Sequence, residues 1–324
     1  MPSLPLQSSP GAAPSVPAAP QFTGIFWLAA VAGFSACALA IMWSRWGGTV
    51  EDSLAYFNTA RYLRGELAFG ELRAPFPYRV LMPALAAFLP GDVRNNFAVL
   101  NCLAVIGAAC AMALAVSRMG MDKRRAVCAG LLLILAVPTF WYAPYLLTDP
   151  GSVCARAVFV LGVVSGQPWI AVLAGLLGSA VREENILLLV WLVVVRRVAF
   201  LPGLAALAAA VSWMMLVRWY LIAGLPSYTW TPHLQTMVAA LADVRSLASI
   251  AGALGLVVPL TVLGWRHAPA QLRPLKGLLL LMALPPLYAA LCVRVDGRAV
   301  WGLYPMLIPF AVSVGLAHRK LAGR

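Results

Sequence analysis

Stretches of about 20 mainly apolar residues, the length one helix needs to cross a bilayer, recur along this chain at residues 24–43, 97–119, 126–145, 201–221, 248–265, 278–293 and 300–316. Two more, 153–164 and 169–195, are apolar but harder to divide. Of the 324 residues 62% are apolar and 11% charged, against about 45–50% and about 25% in soluble domains. A water-facing surface drawn from this composition would expose apolar patches well beyond the few hundred Å² or so that soluble monomers carry. The sequence therefore predicts an all-α polytopic membrane protein with eight to ten spanning segments.

Residues 1–22 are rich in proline, serine and alanine and carry no charged side chain, a composition that predicts a disordered tail ahead of a single transmembrane helical domain over 23–324. No basic region precedes the first apolar run, so a cleaved signal peptide is not expected. The six cysteines lie in or beside apolar stretches without a CxxC spacing, and none of the three histidines stands in an HExxH pattern. Small core residues are expected of the former and no zinc site of the latter.

Basic residues in short loops stay cytoplasmic. The densest such cluster, Arg118, Lys123, Arg124 and Arg125, places the N- and C-termini in the cytoplasm and the loop 46–96 outside. All three lysines then fall inside, whereas ten of the eleven acids face outward, Asp122 alone excepted. This scheme requires 169–195 to be a hairpin turning at Arg182-Glu183-Glu184. A single helix would hold three charges near mid-membrane, at about 3 kcal/mol each on the insertion scale. Trp301, with Trp43, Trp46, Trp141 and Trp219, is expected in an outer aromatic belt.

The first outer loop is the most informative segment. Leu54, Phe57, Ala60, Arg61 and Leu63 repeat at helical spacing, which predicts an amphipathic interfacial helix over 52–64. Glu51 and Asp52 stand at its start, where an acid either caps the helix or serves chemistry. Tyr78-Arg79 and Pro83 follow downstream. Asp149 before Pro150 reads as an N-cap. Arg79, Arg156, Arg182, Arg218, Arg294 and Arg298 fall at or near outer helix ends. Each could form an ion pair, snorkel to the headgroups or bind phosphate, for which the planar guanidinium fork is suited. The cluster of Tyr228, Trp230 and His233 fits either an interfacial anchor or a sugar platform.

The order of an acid pair, an interfacial helix, the Gly65 turn and Tyr78-Arg79-x-x-x-Pro83 after the first span resembles the GT-C superfamily of polyprenyl-phosphate-sugar-dependent membrane glycosyltransferases. Weaker echoes stand at Arg182-Glu183-Glu184 and from Asp296-Gly-Arg298 to Tyr304-Pro305. The chain departs from the family in being short, lacking a large external domain and having adjacent acids. The resemblance implies a GT-C-like fold and transfer of a sugar from a polyprenyl-phosphate carrier to a glycan, lipid or protein acceptor on the external, periplasmic face; the richness in alanine and arginine suggests a bacterial inner membrane. It implies a catalytic base at Asp52, with Glu51 second, and phosphate ligands at Arg79, Arg182 and Arg298, with Arg156 and Arg218 behind them. Tyr78, Glu183, Glu184 and Asp296 would contact substrate. No particular cofactor is implied; a divalent metal beside Glu183 or Glu184 stays open. The partners expected are the bilayer, the lipid-linked donor and the acceptor. The basic excess of +13 follows from the inside-positive bias and the outer arginines, so nucleic acid is not implied. The rival reading is a transporter or flippase for a lipid-linked or anionic solute, although no internal repeat supports it. A non-catalytic envelope subunit is a third.

Overall fold

The computed structural model describes residues 23–50, 52–226, 231–293 and 296–316. Glu51, Tyr228, Trp230, Arg294 and the 1–22 tail lie outside them. The described residues are helical throughout, with one isolated bridge between Gly48 and Tyr145. In lipid a backbone must satisfy its own hydrogen bonds, and a helix does so within one segment.

Three long helices frame the molecule: α1 (Gly24–Trp43), α4 (Val93–Arg118) and α14 (Arg273–Cys292). Between α1 and α4 the long connection expected to lie outside holds α2 (Asp52–Leu63) and α3 (Leu81–Phe88); after α4 come α5 (Lys123–Ile134), α6 (Val137–Tyr142), α7 (Asp149–Val164), α8 (Pro168–Val181), α9 (Ile186–Val194) and α10 (Phe200–Leu216). Then follow α11 (Leu234–Ala242), α12 (Val244–Leu254), α13 (Val257–Gly264), α15 (Gly297–Trp301) and α16 (Tyr304–Ala311) on either side of α14. α4 is the central post, packed on α1, α5, α7 and α16 through an alanine-rich face, since small side chains let helix backbones approach.

Among the described residues four helices are long and apolar enough to cross a membrane: Gly24–Trp43, Val93–Arg118, Phe200–Leu221 and Ala270–Cys292. A fifth crossing exists if α11 and α12, bent by 85° at Asp243, count as one. At about 1.5 Å per residue, 20 residues match a hydrocarbon core of about 30 Å. Large apolar side chains on these helices stand exposed, Leu201 at 75% and Leu280 at 73% among them, as a lipid-facing surface requires. The chain is thus an integral membrane protein by length and composition of its helices.

Three of the apolar windows expected from the sequence are broken instead of forming single helices. Residues 126–145 divide into α5 and α6 ahead of Pro138. Residues 248–265 divide at Gly255, whose φ of +36° only glycine tolerates freely, and 300–316 yields α15 and the short, proline-bearing α16. α13 and α16 cross at near backbone contact: a Cβ on Gly264 would fall 1.9 Å from the Phe310 carbonyl oxygen. The stretch 169–195 breaks where expected, into α8 and α9 around a 3-10 turn at Glu183–Asn185, and the two helices pack together.

The two ends of the bundle differ in charge. Lys123 lies over Phe26, and Lys276 over Trp265, at the end where α1 begins and α4 finishes. Trp46 donates to Asn95 Oδ1 at 2.9 Å at the other end, where the outer loop, the N-terminus of α7 and the α8–α9 turn gather. The helix in the outer loop forms as expected but turns a different face inward. Ser53, Tyr56, Thr59 and Ala60 are buried while Leu54 is exposed. Thr59 bonds back to the Ala55 carbonyl and Tyr56 packs edge-on against Phe76, so polar atoms on this face are satisfied locally.

Candidate functional site

Each wall of the cavity at that end follows from a local feature of the chain. α2 begins at Asp52. The segment from Arg73 to Arg79 crosses as a short 3-10 turn, because Pro75 and Pro77 prevent a regular helix there. α7 opens with Asp149-Pro150, proline being suited to a first helical turn. The α8–α9 turn contributes Arg182 and Glu184, α14 contributes Pro285 and Pro286, and α15 contributes Asp296, Arg298 and Trp301. Together they enclose about 280 Å³.

Within it, carboxylates and guanidinium groups alternate. Arg298 donates to Asp52 Oδ2 at 3.1 Å and to Asp296 Oδ2 at 3.0 Å. Arg182 joins Asp149 at 2.5 Å and Glu184 at 3.2 Å. Arg79 donates to Glu183 at 2.9 Å and to the Tyr56 hydroxyl at 2.6 Å. Arg156, 4% exposed, has every nitrogen engaged: Nε donates to Asn185 Oδ1 at 2.7 Å, Nη1 to the Gly302 carbonyl at 2.8 Å and Nη2 to Glu184 Oε1 at 2.8 Å. Asn185 in turn donates to Ser152 and to the Gly178 carbonyl. Burying ionised groups is tolerable only with such pairing.

Burial alone would raise the Glu184 carboxyl, but the guanidinium groups of Arg182, Arg156 and Arg79 outweigh it and hold the group down to about 2. Glu183 is likewise lowered, Arg79 prevailing over burial. A carboxylate depressed in the fold stabilises it fully above the unfolded value near 4.5 and ceases to as pH falls through the folded value. Thermal stability in detergent should therefore hold from pH 7 to about pH 4.5 and drop progressively toward pH 2. Glu184→Gln should flatten that descent; an unchanged acid profile in the variant would show that the turn is not the source.

Arg73 stands apart. It lines the cavity and is exposed, and among the described residues it has no carboxylate, carbonyl or aromatic partner. Asp52 is also incompletely engaged: Oδ2 holds Arg298, and none of the described residues donates to Oδ1. Three buried side-chain atoms of the lining residues have no hydrogen-bond partner among the described residues: Asp149 Oδ2, the Trp301 indole nitrogen and Arg182 Nε, the last keeping an ion-pair contact of 3.2 Å with Glu184.

The structure thus brings together Asp52, Arg79, Arg156, Arg182, Glu184, Asp296 and Arg298 of the residues singled out from the sequence. Glu183, Tyr78 and Arg218 sit beside the cavity: Arg218, 48% exposed, lies 3.9 Å from Glu183 and over the Tyr78 ring. Arg156 ties α7 to the α8–α9 turn and α15 through one bond from each of its three nitrogens. Two expectations are corrected. Asp149 does not cap α7; Thr148 holds the cap position and Asp149 pairs with Arg182. Trp301 is fully buried, stacked on Tyr142, since α15 is folded into the core. Arg73, Asn185 and Tyr56 were missed. Only Arg73 offered a signal, as a second arginine six residues before Arg79 in the same proline-containing loop.

Among the described residues no three histidine, cysteine, aspartate or glutamate side chains converge as metal ligands. All six cysteines are free, and Cys128 is exposed, outside the core. No family model, curated protein or solved structure matches this chain.

Proposed function

We propose that the chain is a membrane glycosyltransferase of GT-C type, moving a sugar from a polyprenyl-phosphate carrier to an acceptor hydroxyl on the external face of a bacterial inner membrane. In this reading the paired arginines build the site and Arg73 meets the donor phosphate, because it is the cavity cation with no carboxylate to neutralise it. That combination of one free guanidinium and one half-engaged carboxylate in a membrane-end cavity is the observation that carries the proposal. Asp52 Oδ1 takes the acceptor proton as its oxygen attacks the anomeric carbon. The bond from that carbon to the phosphate oxygen breaks, the sugar inverts, and the leaving phosphate is held by Arg73, with Arg79 and Arg298 adjacent. The orphaned Asp149 Oδ2 and Trp301 nitrogen would suit a ligand rich in hydroxyls, which both gives and accepts hydrogen bonds. α14 carries the exposed Leu280, Leu284 and Leu287 and lines the cavity with Pro285 and Pro286, a lateral path for a prenyl tail. The count of eight to ten membrane segments, with short and broken helices completing the spans, and cytoplasmic termini belong to the same proposal.

The test is transfer from labelled polyprenyl-phosphate sugars by the purified protein. Arg73→Gln removes a charge that supports nothing in the fold, so thermal stability should not move, whereas KM for the donor should rise roughly 10- to 100-fold, as loss of a charged hydrogen bond implies. An unchanged KM would remove Arg73 from the site. Labelled lipid crossing proteoliposomes with no covalent product would favour the transporter reading instead.

A further inference from the structure

A second concavity opens at the opposite, basic end of the bundle, between α5, α13 and α16. It encloses about 840 Å³, and its walls are apolar, with Leu131, Leu132, Leu256 and Leu260 facing one another. At one end stand Arg124 and Arg125 with Asp122, whose carboxylate lies 3.8 Å from Arg125 Nε, so the end carries a net excess of one positive charge; at the other, about one α5 length away, or roughly 18 Å at 1.5 Å per residue, lie Val137 and Tyr304. The two arginines differ. Arg125 is engaged, donating to the Val312 and Val314 carbonyls beyond α16. Arg124 is exposed and none of the described residues pairs with it.

We propose that this groove holds a membrane phospholipid with an anionic headgroup, one acyl chain lying along α5 and the phosphate at Arg124. Water fills an apolar groove poorly, and a basic residue at a helix end beside such a groove recognises acidic lipid headgroups. Charge discriminates among the occupants. The chain's own segment 317–324 carries Arg319, Lys320 and Arg324 without an acidic side chain, the same sign as the net charge of Asp122, Arg124 and Arg125 together. The tail 1–22 has no charge at all and cannot complement it. A phosphodiester headgroup with an attached chain complements both the cation and the apolar walls.

Cys128, exposed in the groove, gives a readout. Delipidated full-length protein is reconstituted in nanodiscs of phosphatidylcholine with or without phosphatidylglycerol, and maleimide modification of Cys128 is followed by peptide mass spectrometry. Phosphatidylglycerol should slow labelling about fivefold relative to phosphatidylcholine, the ratio expected for one basic contact, and Arg124→Gln should erase the difference. None of the described residues pairs with Arg124, so this variant should unfold at the wild-type temperature. Equal labelling rates in the two lipids, or a difference that survives Arg124→Gln, would overturn the proposal. So would crosslinking of two copies through Cys128 that excess phosphatidylglycerol does not suppress. None of these outcomes depends on sugar transfer.

Discussion

Replacing Asp52 by asparagine is expected to lower the rate of sugar transfer by about 10²- to 10⁴-fold, the usual contribution of a positioned general base, while the protein remains folded. Asparagine keeps the shape and one acceptor oxygen of the aspartate but cannot take a proton. The fold has a reason to tolerate it: Arg298 loses one carboxylate yet retains Asp296 at 3.0 Å, so no buried cation is stranded. The informative measurement is kcat for a labelled polyprenyl-phosphate sugar, with the unfolding temperature measured alongside. Full activity in Asp52→Asn would move the base elsewhere, and Glu51→Gln would be the next variant to assay. Loss of activity together with a large loss of stability would instead make Asp52 a structural partner of Arg298.

Arg182→Ala should have the largest effect on stability of any single change at the cavity. Asp149 is nearly fully buried and Arg182 is its only charged partner among the described residues; Glu184 would keep Arg156. Removing one member of a buried ion pair leaves an uncompensated charge, at a cost of about 3–5 kcal/mol, which lowers the unfolding temperature by on the order of 10 °C. Arg182→Ala combined with Asp149→Asn removes the stranded charge and should recover much of that loss. If the double variant is no better than the single one, the pair is not coupled in the way the geometry indicates.

The two effects separate roles that look alike in sequence. Arg73, Arg79, Arg156, Arg182 and Arg298 all line one cavity, yet four are held by carboxylates and Arg73 by none of the described residues. The arginine left without a carboxylate is thus one that was not expected to bind phosphate. The broken helices have a similar logic. Pro138, Gly255 and Pro305 shorten apolar stretches that composition alone would extend across the bilayer, and the fragments α12, α15 and α16 fold inward. There the Tyr304 hydroxyl donates to the Ala253 carbonyl, and the Gly297 amide to Ser249.

What the sequence determined by itself was local in kind. Apolar length, the cost of charge in lipid and the positions of proline and glycine are properties of short windows, so helicity, membrane residence, the α2 helix and the break at Arg182–Asn185 could all be read from them. Pairing was not local. Asp52 and Arg298 lie 246 positions apart and Arg79 and Glu183 104 apart, and only the packing of α2, the α8–α9 turn and α15 around α7 brings them within hydrogen-bond reach. Which arginine is neutralised, which stays free and which tryptophan is buried depend on those three-dimensional neighbours, and a linear reading of charge contains no distance between them.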